Sequence, residues 1–287
     1  MALLAHYLFN ESPGVTPVTA IDVAGGGSGY HDASYTWMSN GDGILSGGVG
    51  GRHIKFKYSS GSTTTLVDSF DNNSDFNTLG EVTISFWLYP INAGLAFMGS
   101  DNGVTGPDDN QDITIDWWSS GVMRFIWEHT NHTGIVISST SSMIDMNEWQ
   151  HFVIRRSLFS GGPNMQVDFF KNGVLEETYD NSSSGYTPHD GGSLCSFKIG
   201  KVQRGWVVGG ECMSDSIRIY NSAESDVTIA ALYATEEEDF FGSPGVKFLS
   251  TPYDRRVAKT SSNHFGNVLE TGERSSRDNP GFFRITA

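Results

Sequence analysis

Short runs in which apolar and polar residues alternate recur along the chain, and stretches rich in Gly, Ser, Asn and Asp separate them. An alternation of period two is typical of β-strands, because successive side chains of a strand point to opposite faces. In the run 81–90, Ile84, Phe86 and Leu88 face one way while the bulky Trp87 faces the other. This pattern predicts a strand at the centre of a sandwich that is covered on both faces.

The segment 147–179 predicts three consecutive strands. The first carries Trp149, Phe152 and Ile154, and the next two run over 166–171 and 174–179. Asn172-Gly173 separates the second strand from the third. Asn-Gly between two apolar runs favours a type I′ hairpin turn, in which both central residues need a positive φ.

The remaining patterns predict further strands and one helix. Strands are expected over 3–10, 52–58, 113–118, 122–129 and 193–201, with 113–118 and 122–129 forming a hairpin. A short amphipathic helix is expected over 225–234, capped by Ser225. Its side chains expected to face the sandwich are those of Val227, Ile229, Ala230 and Tyr233.

Composition agrees with an all-β protein. The 287 residues include 34 Gly, 18 Phe, 10 Tyr and 7 Trp, enough for many turns and a sizeable core. The net charge of −15 argues against nucleic acid as a partner, since phosphate would repel the chain. No apolar run is long enough to span a bilayer, and the first residues lack a signal peptide's basic region and cleavage site. Cys195 and Cys212 are expected as thiols in a reducing compartment.

Several motifs occur in an order that resembles the laminin-G-like branch of the concanavalin A-like jelly rolls. They are Trp149-x-His151, Lys171-Asn172-Gly173, the run Ile84-Ser-Phe-Trp-Leu-Tyr-Pro90, and Asp215 with Ile217-Arg218-Ile219-Tyr220. The resemblance covers about residues 1–235. It implies a two-sheet antiparallel jelly-roll sandwich, a fold shared by lectins, glycan-degrading enzymes and structural modules, so function must be argued from sites.

The resemblance also implies a structural calcium site. In relatives, an Asp in the first long loop and the closing strand help to hold the ion, which carries over to Asp22 and Asp215. Ser216 departs from the family pattern, which has an acidic residue at that position.

Catalytic motifs are not apparent in the sequence. Glycan hydrolases of this fold carry carboxylates on one strand face, commonly as Glu-x-Asp-x-x-Glu, and no segment has that spacing. There is no Gly-x-Ser-x-Gly elbow either. His151 is interpreted as a strand residue with a satisfied hydrogen bond.

Two tryptophans are candidates for glycan binding. Trp117 and Trp118 must point to opposite faces of their strand, so one of them lies off the core unless the other face is covered. An exposed tryptophan offers a large, rigid, apolar platform for a sugar ring. Trp118 and Trp127 are the candidates, and the alternative is that loops or a neighbouring subunit cover them.

The pattern changes after residue 238, which predicts two domains, a jelly roll over 1–238 and an extended arm over 239–287. The arm has seven Lys or Arg against five Asp or Glu, a net charge of +2, which leaves −17 for residues 1–238. Alone, it buries too little apolar surface to offset its ordering entropy. It therefore docks on another protein or wraps its own sandwich, and its expected anchors are Phe240, Phe241, Phe248, Arg255, Arg256, Phe265, Phe282 and Phe283.

These observations suggest a non-enzymatic virion surface protein, either a capsid decoration protein or a fibre component. Such a protein is made in the host cytoplasm without a signal peptide and is displayed outside after lysis. The arm would bind a capsid or tail protein, in a homo-oligomer or multicopy assembly. A carbohydrate-binding adhesin or tail-fibre receptor-binding module is the alternative, and a glycan-active enzyme is a third.

Overall fold

Strands dominate the part of the chain that the computed structural model describes. The described residues are 3–9, 19–20, 33–37, 43–46, 52–59, 62–63, 65–67, 81–92, 96–101, 113–117, 120–128, 134–140, 142–158, 165–181, 196–199 and 211–241. They form seventeen strands and one helix, and the strands pair into two antiparallel sheets. The predicted all-β sandwich is confirmed.

Sheet A has nine strands, in the order β15-β14-β13-β8-β17-β5-β4, with β1 paired to β17 and β6 to β5. Their bounds are β1 Leu3–Tyr7, β4 Gly43–Ser46, β5 Arg52–Ser59, β6 Ser62–Thr63, β8 Val82–Pro90, β13 Gln150–Leu158, β14 Met165–Lys171, β15 Val174–Asn181 and β17 Glu211–Tyr220.

Sheet B has eight strands, in the order β12-β11-β10-β9-β16-β7-β3-β2. Their bounds are β2 Thr19–Ala20, β3 Ala33–Trp37, β7 Thr65–Val67, β9 Ala96–Asp101, β10 Ile113–Trp117, β11 Met123–Glu128, β12 Gly134–Ser138 and β16 Ser196–Ile199. The predicted hairpin of β10 and β11 is confirmed, with Trp117 opposite Met123.

The main core lies between the two sheets. Phe86 of sheet A and Phe97 of sheet B meet with ring centroids 5.0 Å apart, and Phe97 also contacts Trp117 at 6.1 Å. Trp117 is buried in this core, as one of the two adjacent tryptophans had to be. Aromatic residues of the two sheets therefore pack directly on each other, although β9, which carries Phe97, was not among the predicted strands.

Strand β8 is buried on both faces, as its sequence predicts. Ile84, Phe86 and Leu88 belong to the main core. Trp87, on the other face, belongs to a second apolar cluster with Trp149 and Met213. The face of sheet A that points away from the main core, called the outer face below, is thus also covered at β8.

The turn between β14 and β15 has the predicted geometry. Asn172 and Gly173 have φ values of 51° and 78°, as a type I′ turn requires. A Cβ on Gly173 would lie 3.0 Å from the Tyr233 side chain, so a larger residue here would also have to displace that ring slightly.

Helix α1 (Asp226–Phe241) follows β17 and lies on the outer face of sheet A. The Ser225 side chain accepts a hydrogen bond from the Thr228 N–H at 3.1 Å, which confirms the predicted N-cap. The helix continues beyond Ala234, its predicted end, and beyond residue 238, the predicted end of the first domain. Ala and Glu between residues 230 and 238 are strong helix formers, and they explain the longer helix.

The longer helix corrects two details of the sequence analysis. Phe240 and Phe241 were expected in an extended arm, but both are helical. Val227 and Ala230 were expected to face the sandwich, but both are exposed. The stripe that packs on the sheet is Ile229, Tyr233 and Glu236, because a helix presents positions i, i+4 and i+7 on one face.

Two further predictions concern the thiols and the membrane. Cys212 is a buried free thiol, whose pKa burial and the nearby Glu211 raise well above its ordinary value, whereas Cys195 lies outside the described residues. In the described part of the chain, no helix combines the length and the apolar character that crossing a membrane requires.

Candidate functional site

A buried polar network on the outer face of sheet A joins side chains of β8, β13 and β17 to helix α1. Strands β8 and β13 pair with Trp87 opposite His151 and Ser85 opposite Val153. The Ser85 Oγ and the His151 Nε2 are 2.8 Å apart, in a buried hydrogen bond that confirms the interpretation of His151. Burial, and then the charge of Arg218, lowers the pKa of His151 to about 3, so the ring is neutral near pH 7.

Helix α1 supplies the carboxylate of this network. The Glu236 Oε2 accepts a hydrogen bond from the Trp87 Nε1 at 2.8 Å. The Glu236 Oε1 accepts from the Ser216 hydroxyl and from the Arg218 guanidinium, which also forms a salt bridge with it. A buried carboxylate is tolerated only when it is paired and hydrogen-bonded, and Glu236 meets that condition with three donors.

Strand β1 adds His6 to this network. The His6 Nε2 lies 3.1 Å from the Ser216 Oγ, and Arg218 donates to the same oxygen at 2.9 Å. Burial, and then the charge of Arg218, lowers the pKa of His6 to about 3. Ser216 has a φ of 46°, at the irregularity where β17 shifts its register against β8 between Asp215 and Arg218. This kink brings a β17 hydroxyl within reach of Glu236.

Ser85, His151 and Glu236 resemble a hydrolytic triad in composition but not in geometry. A triad needs the acid on one ring nitrogen of the histidine and the nucleophile on the other. Here the Glu236 Oε2 is 3.8 Å from Nε2, the same nitrogen that contacts Ser85, and Nδ1 has no hydrogen-bond partner among the described residues. All three side chains are also buried between helix α1 and sheet A. The network therefore fastens the helix rather than activating a nucleophile.

A second network holds the start of the helix. The Arg155 Nε and Nη2 donate to the Asp168 Oδ2 at 2.9 and 2.7 Å, while its Nη1 donates to the Asp226 Oδ1 at 2.6 Å and to the Glu224 carbonyl at 2.7 Å. The guanidinium also lies 4.9 Å from the Phe170 ring centroid. One arginine thus joins β13, β14 and the first turn of α1.

The buried carboxylates of the described residues are engaged by neighbouring donors. Asp116 pairs with Arg124 across β10 and β11, and Glu224 accepts from the Ser222 hydroxyl at 2.6 Å. Asp168 accepts from Gln166 and Thr178, both at 2.7 Å, in addition to Arg155. Glycoside hydrolysis needs two carboxylates that flank a substrate, and these side chains instead serve the fold.

The structure describes only part of the predicted glycan site. Trp118 lies outside the described residues. Trp127 lies in β11 opposite Ile113 and Ile135, but its side chain is outside the described part. Thr114 and Asp116, which point away from the main core on β10, are buried. The face of β10 that points away from the main core is therefore covered at Thr114 and Asp116.

The predicted calcium ligands are also only partly described. Asp215 is buried in β17, and its Oδ1 accepts a hydrogen bond from the Ser216 N–H at 2.7 Å. Asp22 lies outside the described residues. Within the described ranges, no group of three or more His, Cys, Asp or Glu side chains is arranged to hold a metal ion. The calcium site stays a prediction.

The predicted arm anchors beyond the helix lie outside the described residues; these are Phe248, Arg255, Arg256, Phe265, Phe282 and Phe283. The side chains of Phe240 and Phe241 are likewise outside the described part.

Sequence reasoning missed the roles of Glu236, His6 and Arg218. A signal was present for Glu236, because it lies three residues after Tyr233 and seven after Ile229 and so shares their helical face. A carboxylate on the buried face of a helix requires a buried donor. No sequence pattern identified Arg218 and Trp87 as those donors.

Comparison with known proteins identifies the family. Residues 57–230 match the family model described as the concanavalin A-like lectin/glucanases superfamily. No significant match was found among the curated proteins.

The solved structures that resemble this chain include bacterial toxin binding domains. The binding domain of Paraclostridial Mosquitocidal Protein 1 has 16% identity and a TM-score of 0.56, over 82% of this chain and 52% of its own length. The botulinum neurotoxin serotype G binding domain has 12% identity and a TM-score of 0.55, over 81% and 51%. The receptor binding domain of a botulinum neurotoxin C/D mosaic serotype has 11% identity and a TM-score of 0.54, over 82% and 51%.

This chain spans about half the length of those binding domains, and at such low identities the likeness concerns the fold. The family match covers more than half of the chain and contains the central strands β8, β13 and β14. The chain therefore belongs to the concanavalin A-like lectin/glucanase superfamily.

Proposed function

We propose that this chain is a non-catalytic recognition module that binds a glycan or another cell-surface receptor. One observation carries the proposal. The buried carboxylates and His151 hold strands and helix α1 together, and none of these side chains is arranged as the acid and base of a catalytic site. Toxin binding domains share the fold, and one of them is a receptor binding domain.

Trp118 and Trp127 are the proposed sugar platforms. A glycan array probed with the unmodified chain identifies a ligand, and Trp118→Ala or Trp127→Ala should weaken its binding about tenfold if the rings stack on it. Tyr179→Ala is the matched control, because Tyr179 is an exposed aromatic residue on β15 of the other sheet. Equal binding by all variants would exclude these tryptophans.

We further propose that the module is displayed on a virion, as a capsid decoration protein or a fibre component. The supporting observation is the charge contrast along the chain. Residues 242–287 have seven Lys or Arg against four Asp or Glu, a net charge of +3, which leaves −18 for residues 1–241. A basic segment on an acidic body suits attachment to an acidic capsid or tail protein, while the body stays soluble.

Particle incorporation tests the attachment. Arg255→Glu with Arg256→Glu, and separately Phe282→Ala with Phe283→Ala, should lower the amount of protein that sediments with particles. A truncation is best made after Phe241, since one made at residue 239 would cut into helix α1. Incorporation that survives truncation would overturn the attachment.

We propose that Asp22 and Asp215 are ligands of a structural calcium ion. An ion that binds only the folded state raises its stability, so a chelator should lower the melting temperature, and Asp22→Asn should remove the response. A melting curve that ignores the chelator would contradict the site.

A glycan-active enzyme is the competing function. Release of reducing ends from the polysaccharide that the chain binds would support it and overturn the non-catalytic proposal.

A further inference from the structure

Helix α1 is attached to sheet A without taking part in the core between the sheets. It follows β17, and no described strand comes after it. The main core contains no side chain of the described helix. The helix can therefore leave the outer face as a separate unit of the fold, without breaking a pair of described strands.

The apolar contacts of the helix with the outer face are limited. Ile229 is the fully buried apolar side chain of the described helix, and it packs against Val153 and Phe170. Tyr233 stacks on Trp87, with ring centroids 5.8 Å apart. A small void remains between the helix and strands β8 and β13. A helix that buries so little apolar surface depends strongly on its polar contacts.

The polar attachment is concentrated at Glu236. Its buried carboxylate accepts hydrogen bonds from side chains of β8 and β17. The start of the helix is held by Asp226 and Arg155, but the Asp226 side chain is 62% exposed, so water screens that pair. Whether the helix stays on the sheet therefore depends mainly on the surroundings of Glu236.

His151 lies beside this carboxylate and is covered by the helix. Its Nε2 is 2.8 Å from the Ser85 Oγ and 3.8 Å from the Glu236 Oε2. The centroid of its ring is 5.3 Å from that of Trp87 and 5.8 Å from that of Tyr233. The ring is fully buried, and its Nδ1 has no hydrogen-bond partner among the described residues. Because Tyr233 and Glu236 belong to the helix, departure of the helix opens this ring to water.

The charges around His151 do not favour a proton on the ring while the helix is attached. Glu236 is already paired with Arg218 and accepts from two further donors. Burial, and then the charge of Arg218, lowers the pKa of His151 to about 3. The attached form therefore keeps this ring neutral at every pH at which Glu236 and Arg218 stay paired.

The other elements around the ring present mostly uncharged groups. They are Ser85 and Trp87 of β8, Asn172 of the turn after β14, Tyr233 of α1, Asp215 of β17 and His6 of β1. Asp215 is separated from His151 by strand β8, since both residues pair with Trp87. His6 meets the network at Ser216. Neither of these two groups offsets a charge on His151.

We propose that helix α1 is released from sheet A as a unit when the pH falls below about 6, while the two sheets stay paired, and that protonation of His151 drives the release. In water the ring regains its ordinary pKa of 6.5, so the released form binds a proton that the attached form does not. The equilibrium constant for release should therefore rise about tenfold per pH unit below 6.5, and about 100-fold by pH 4.5. Release exposes the aromatic surface around Trp87. The proposal does not depend on glycan binding.

Hydrogen exchange of the full-length chain, measured by mass spectrometry from pH 7 to 4.5, tests the release. After correction for the intrinsic exchange rates, the amides of α1 should lose about 100-fold in protection between pH 6.5 and 4.5. At each pH they should be at least about tenfold less protected than the amides of β8 and β13, because the helix opens without the sheets. Equal protection of helix and strands would overturn the proposal, since the fold would then open in one event. Helix protection that does not change with pH would overturn it too.

A histidine substitution identifies the group that takes the proton. His151→Gln keeps a polar group beside Ser85 but gains no charge, so the loss of helix protection should shrink from about 100-fold to less than about tenfold. His53→Gln is the matched control and should retain the full loss, because His53 is also a buried histidine of sheet A but its ring lies against Trp149. A 100-fold loss that persists in His151→Gln would overturn the proposal. If a variant does not fold, the pH profile of the unmodified chain decides the question by itself.

Discussion

Two arginines of sheet A hold helix α1, one at its first residue, Asp226, and the other at Glu236, five residues before its end, and the surroundings of the two ion pairs differ sharply. The Arg155 and Arg218 side chains are equally accessible, at 13% each. Their helix partners are not, since the Asp226 side chain is 62% exposed and the Glu236 side chain is 3% exposed. Arg155 has a second carboxylate partner in Asp168, whereas the carboxylate that the structure pairs with Arg218 is Glu236.

This difference sets what each pair contributes. An exposed ion pair is screened by water and contributes little, whereas breaking a buried pair leaves a charge without its partner in a poorly solvated place. The Glu236–Arg218 pair should therefore contribute more to holding the helix on the sheet than the Asp226–Arg155 pair.

The strongest test removes the buried carboxylate. Glu236→Ala should lower the free energy of unfolding by about 3–5 kcal/mol, because Arg218 and the Trp87 N–H lose their shared acceptor. Chemical denaturation monitored by tryptophan fluorescence measures the loss. Glu237→Ala is the neighbouring control, because that side chain is exposed. Equal effects of the two substitutions would contradict the comparison.

Acid should lower the stability of the fold through the histidines of the Glu236 network. The pKa values of His6 and His151 are lowered to about 3 in the folded state from 6.5. Between those values the unfolded chain binds more protons, so stability is complete above about pH 6.5 and falls as the pH drops. Each histidine adds up to about 1.4 kcal/mol per pH unit. Unfolding midpoints between pH 7 and 5 measure how steeply stability falls with pH, and His151→Gln should make that fall less steep.

At the opposite end, the helix cap should have a smaller effect. Ser225→Ala removes the acceptor for the Thr228 N–H and should cost about 1 kcal/mol. Denaturant midpoints measure it, and Ser225→Asp should retain most of the stability because Asp is also a good cap. A loss of stability as large as that of Glu236→Ala would contradict the comparison, because the helix cap would then matter as much as the buried ion pair.

The smallest effect is expected from the exposed ion pair. Asp226→Asn should cost about 0.5 kcal/mol or less, because Asp168 still holds Arg155 and the Asp226 side chain is mostly solvated. Repeating the measurement at high salt should remove the difference from the unmodified chain. A salt-independent loss would mean that Asp226 acts through geometry rather than charge.

Local patterns predicted much of the fold. The alternation in β8 predicted its burial on both faces, and Asn172-Gly173 predicted the hairpin turn of β14 and β15. The start of helix α1 was predicted from Ser225, but its end was not, because the Ala- and Glu-rich residues that extend it also fit a polar linker. The Trp118 and Trp127 platform, the Asp22 and Asp215 calcium site and the arm anchors stay predictions.

Local sequence patterns determined most strands of sheet A, the β10–β11 hairpin, the β14–β15 turn and the helix cap, since each depends on neighbours within a few positions. The order of motifs along the chain indicated the family. The tertiary fold determined that Glu236 hydrogen-bonds with Trp87, 149 residues away, and that Ser216 hydrogen-bonds with His6, 210 residues away. Such partners follow from which strands pair and from the direction in which the helix crosses them. Periodicity cannot specify these contacts, because one alternation is compatible with many pairings of strands.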